Sequence, residues 1–81
     1  MSNNNLERAR CLLLAYEPWY GHVAMNMTWI ETTMVKTMGV RVVHGGEVQC
    51  LYNSHFVKEL TVPEICFVIQ HEVEHVVRCH C

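Results

Sequence analysis

The chain has 81 residues, of which 51% are hydrophobic and 17% charged, and its formal net charge is −2. That length allows one small core, burying about 60–65% of the unfolded surface, and the composition excludes a disordered chain. The near-neutral charge leaves no basic footprint for nucleic acid, and no apolar run approaches the roughly 18 residues that a membrane span needs.

The N-terminus, Met1-Ser2-Asn3-Asn4-Asn5, is polar and lacks the basic region and apolar core of a signal peptide. Together with an odd number of cysteines, this predicts a cytoplasmic chain with reduced thiols. Cys11, Cys50 and Cys66 fall on apolar faces and read as small core residues. A first helix is predicted over 6–16, capped by Asn4 or Asn5. Its buried stripe is Leu6, Ala9, Leu13 and Tyr16, widened by Leu12 and Leu14, while Glu7, Arg8 and Arg10 face water. Pro18 predicts a turn over 17–21 that carries Trp19 and Tyr20 as core plugs. A second short helix over 22–27 and a strand over 28–33 follow.

The clearest strand signal is a β-hairpin, with 40–44 and 47–52 joined by Gly45-Gly46. The glycines supply the positive φ angles of a two-residue primed turn. Val48, Cys50 and Tyr52 share one of its faces. His44 reads as a solvated strand end. Asn53 or Ser54 then caps a short helix over 54–60 that buries Phe56, Val57 and Leu60, with His55 towards solvent. Thr61-Val62-Pro63-Glu64 is the strongest start signal in the chain, a capping box with proline in the first turn. The helix it opens runs from 62 towards 79. Ile65, Val68, Ile69, Val73, Val76 and Val77 form its apolar stripe.

That last helix carries His71-Glu72-Val73-Glu74-His75, an H-E-x-x-H. Two histidines four apart share one helical face, so both imidazoles can reach one zinc ion. Glu72 points towards the apolar stripe, beside the first histidine, and is placed as the base that takes a proton from a zinc-bound water. Glu74 and Arg78 form an exposed ion pair, which makes Glu74 surface decoration. A hydrolytic zinc needs a third protein ligand. His80 is the nearest candidate, provided the helix unwinds before it. An alternative is a structural zinc site drawn from His75 and the Cys79-His80-Cys81 tail.

Four stretches carry a family likeness: Arg10-Cys11-Leu12-Leu13-Leu14 with Pro18-Trp19-Tyr20-Gly21; Leu51-Tyr52-Asn53 with Phe56, Val57 and Leu60; Phe67-Val68; and the H-E-x-x-H with His80. On these residues the chain resembles the metallopeptidase-like domain that precedes von Willebrand A-like domains in bacterial and phage proteins. The resemblance implies a small zincin-like α+β fold and peptidase chemistry. Family members have glycine where this chain has Cys79, and they continue past the position of Cys81. The chain is therefore read either as one domain over 1–81 or as the N-terminal piece of a longer protein.

The expectation is a small zincin-like α+β domain: an N-terminal helix, a hairpin or small sheet, a short helix and a C-terminal H-E-x-x-H helix. Zinc is held by His71, His75 and His80, Glu72 is the catalytic base, and a peptide or protein is the substrate. By zincin analogy an extended peptide would add to an edge strand. The rival expectation is a binding or assembly module that keeps the motif without catalysis.

Overall fold

The computed structural model describes residues 4–78. The described residues form a small α+β fold in the order α1 (Asn4–Tyr16), α2 (Pro18–Asn26), β1 (Thr28–Glu31), β2 (Met38–Val42), β3 (Val48–Tyr52), α3 (Ser54–Lys58) and α4 (Val62–Val77). The expected tail site at Cys79, His80 and Cys81 lies outside the described residues.

α1 buries Leu6, Ala9 and Leu13 as its period requires. Its stripe is narrower than expected, because Leu12, Leu14 and Tyr16 are exposed, Tyr16 at 75%. Asn5 lies inside the helix rather than capping it. Arg10 does not simply face water: its guanidinium sits 5.0 Å over the Trp29 ring, and its Nε is buried with no hydrogen-bond partner. Cys11 is exposed rather than core, and Cys66 is half-buried.

The predicted turn over 17–21 is instead the start of α2. Pro18 occupies the first turn of the helix, where its missing N–H and fixed φ do no harm. Trp19 is therefore exposed rather than a core plug, and only Tyr20 packs against the core. Gly21 makes the crossing of α1 and α2 possible. A Cβ at this position would lie 2.3 Å from both the backbone N and Cα of Leu14.

The sheet order is β1-β3-β2, with β1 parallel and β2 antiparallel to β3. Inward-facing Cys50 and Tyr52 lie opposite Val40 and Met38 on β2, and they join the core as the period of two demands. The hairpin loop is one residue longer than the predicted two-residue turn. Val42 pairs with Val48, Val43 N–H donates to the Glu47 carbonyl, and the chain reverses over His44, Gly45 and Gly46. Gly45 and Gly46 hold φ of 95° and 90°, which glycine adopts without a Cβ clash. Exposed His44 belongs to this loop and not to a strand end. Asn53 ties the 33–37 segment down, its Nδ2 donating to the Val35 carbonyl at 3.0 Å and its N–H to the Thr37 carbonyl at 2.8 Å.

The core gathers Leu6, Leu13, Met38, Cys50, Tyr52 and Val57 around Ile65, Ile69 and Val73 of α4. α1 packs on α2 and α4, and α4 lies against β2. No described helix is long and apolar enough to cross a membrane.

Candidate metal centre

α4 forms where the capping box said it would. Thr61 Oγ1 accepts from Glu64 N–H at 3.3 Å, and the Glu64 carboxylate accepts from Thr61 N–H at 2.8 Å. Ile65, Ile69 and Val73 are buried, which fixes the rotation of the helix. Val77, expected in the stripe, is 51% exposed, because it falls on the side of the helix turned from the core.

With that rotation fixed, His71 and His75 stand side by side on an exposed flank. Their Nε2 atoms are 3.0 Å apart, and the rings meet nearly edge-on, with centroids 4.6 Å apart at 84°. Two imidazoles that close must share one proton between facing lone pairs. A cation can take the place of that proton. Zinc at about 2.0–2.1 Å from each nitrogen in tetrahedral geometry separates them by roughly 3.3 Å, so the pair needs little adjustment. Among the described residues no third histidine, cysteine or carboxylate joins them as a ligand set. The nitrogens present fit two positions of a zinc site.

A surface depression of about 330 Å³ is lined by His71, Glu74, His75 and Arg78. Glu74 is more than surface decoration. Its Oε1 accepts from Arg78 Nε at 2.8 Å, and its Oε2 accepts from the Tyr20 hydroxyl, tying α2 to the end of α4. The hydrogen bond from Tyr20, then that from Arg78, holds the Glu74 carboxyl below its ordinary range. The same hydrogen bond to Glu74 raises the Tyr20 phenol. Sequence reasoning missed Tyr20, since 54 residues separate it from Glu74 and no local spacing signals the contact.

Glu72 does not line that depression. It is half-buried between Val68 and Val76 on the inward side of the histidines, as its helical position predicts. Its negative charge is felt at Cys50 on β3. The Cys50 thiol is pushed up to about 12, by burial first and by Glu72 second, with Arg10 opposing. Glu72 and Arg10 thus act on Cys50 with opposite sign. Phe67, one turn before His71, stacks on its ring with a centroid distance of 6.3 Å and an angle of 21°. Its i,i+4 spacing was the available signal for this contact.

Residues 1–81 match the family described as "Putative metallopeptidase domain". The chain belongs to this family. Neither a curated protein nor a solved structure matches it. Membership supports a metallopeptidase-like role and, with it, a metal cofactor.

Proposed function

We propose that the chain is a zinc-dependent metallopeptidase domain in which His71 and His75 hold the metal and Glu72 is the catalytic base. The observation that carries this reading is the 3.0 Å approach of the two Nε2 atoms on one capped helix. Family membership supports the same class. His80 remains the proposed third ligand.

Bound there, zinc would act as a Lewis acid towards a peptide carbonyl and a water molecule. Glu72 accepts the proton of the attacking water at its carboxylate and passes it to the leaving amine. Half-burial beside apolar neighbours restricts how much solvent competes for that carboxylate. Both β1 and β2 end the three-stranded sheet, and α4 packs against β2. An extended peptide would pair with one of these edges by strand addition. A cytoplasmic setting fits the free thiols of Cys11, Cys50 and Cys66.

The second reading is a binding module that keeps the motif without turnover. It needs only the two histidines that the described residues bring together. One set of proteins separates the two. Wild type should carry about one zinc per chain by elemental analysis, and His71→Ala and His75→Ala should each lose it. Glu72→Gln should keep the zinc and lose at least about 10²-fold in cleavage of a mixed peptide library, because an amide cannot accept the proton. Zinc retained in both histidine variants would overturn the ligand assignment. Zinc-loaded wild type that cleaves nothing would count against catalysis by these 81 residues and favour the binding module.

A further inference from the structure

The flank of α4 beside the histidines does not end at His71. A shallow depression shared by Tyr20, Phe67, Gln70, His71 and Glu74 adjoins the histidine depression through His71 and Glu74. Through Phe67 and Gln70 it continues into a further depression of about 320 Å³ between α1 and α4. This last hollow is lined chiefly by Leu12, Tyr16, Pro63, Cys66 and Phe67, with the carboxylate of Glu17 at its edge. Phe67 is 70% exposed, so a large aromatic bridges the hollow and the first histidine while remaining open to solvent.

We propose that this hollow is a side-chain subsite for a large neutral apolar residue, of the phenylalanine or leucine kind, in a peptide whose backbone passes the His71–His75 pair. The inference rests on the peptidase reading and specifies its substrate class. Three observations carry it. The lining is apolar and holds no cation, so an acidic side chain gains nothing there and Glu17 opposes it. The volume lies at the lower end of the range for ligand pockets, which suits one side chain rather than a helix or a second folded chain. And the hollow is continuous with the histidine pair through the Phe67–His71 stack. The wider depression across Leu12 is rimmed by Glu7 and Arg8 and does not reach the histidines.

The test is binding, so that it does not depend on turnover. Isotope-labelled protein of residues 1–81 is titrated with the blocked peptides acetyl-Gly-Xaa-Gly-Gly-amide, Xaa being Phe, Leu, Ala or Lys, and the backbone amide shifts are followed. The Phe and Leu peptides should saturably shift the amides of Leu12, Tyr16, Phe67 and Gln70, with at least about tenfold tighter binding than the Ala peptide, the size expected when an apolar pocket is filled. Phe67→Ala and Tyr16→Ala, both at exposed positions, should reduce that ratio towards one while leaving the remaining spectrum folded. Equal affinity for the Phe and Ala peptides would overturn the proposal. So would shifts at these amides that grow with protein concentration alone, which would assign the hollow to a second copy. His75→Ala, which does not line the hollow, keeps the two readings apart. Loss of zinc with the Phe-over-Ala ratio intact supports both readings. A ratio present in wild type that never carries zinc upholds the subsite and sinks the peptidase reading.

Discussion

Ile69→Ala should be among the most damaging single changes on α4, and its size follows from the packing. Ile69 is 1% exposed and lies in the core between Ile65 and Val73. The substitution deletes three carbons, about 2.4 kcal/mol of transfer free energy at roughly 0.8 kcal/mol per buried methylene. A residual cavity adds to this, giving an expected loss of about 2–4 kcal/mol. A domain of this length is stable by only about 4–12 kcal/mol, so the loss takes between a sixth and all of the stability. Val77→Ala on the same helix is the control. Half exposed, it should cost no more than about 0.5 kcal/mol. Urea unfolding followed by tryptophan fluorescence and far-ultraviolet circular dichroism measures both. If Ile69→Ala does not fold at all, buried Val73→Ala, with two carbons lost, should still show a deficit of about 1.5–2.5 kcal/mol. An Ile69→Ala cost below about 0.5 kcal/mol, or equal costs for Ile69 and Val77, would mean that the rotation of α4 is wrong, and the histidine flank with it.

Tyr20→Phe removes the hydroxyl that lowers the Glu74 carboxyl and is itself raised by it. The depressed carboxyl stabilises the fold above its unfolded pKa, and this contribution fades as pH falls through the folded value. The raised phenol stabilises below its own unfolded pKa and loses that contribution as pH rises through the folded one. The stability gap between wild type and Tyr20→Phe should therefore be widest near neutrality and narrow on both the acid and alkaline sides. Urea midpoints at three pH values read it, and a gap constant across them would refute the contact. Cys50, fully buried and with its thiol near 12, should resist iodoacetamide at pH 8 until denaturant is added, whereas exposed Cys11 should react in the folded state. Peptide mass spectrometry distinguishes them, and comparable labelling of the two would refute the burial.

Local chemistry announced the elements whose determinants are close in sequence. Thr61 and Glu64 are three residues apart and fixed the start of α4, and the Gly45-Gly46 pair marked the hairpin. The pairing of His71 with His75 was likewise a matter of helical period. Pro18 misled because the same ring that ends one helix is well suited to begin the next. Arg10 and Tyr16 were misplaced for a tertiary reason. Trp29, brought over α1 by the sheet, offered Arg10 an aromatic face, while nothing described covers Tyr16. Glu74 had one partner within reach of sequence logic, Arg78, and one beyond it, Tyr20. The parallel pairing of β1 with β3, across an intervening β2, is also set by packing of distant segments, and no local rule marks it.

Three of the five largest fully buried side chains, Ile65, Ile69 and Val73, belong to the helix that carries the two histidines. The candidate site therefore has no hinge of its own. Unwinding α4 as far as Val73 would open the core, so the amides of the turns that carry Ile65, Ile69 and Val73 should be among the slowest to exchange, and those of the last turn, with His75, faster. Folding thus sets the backbone spacing of the two histidines one turn apart, and metal capture would have only the two exposed rings left to orient.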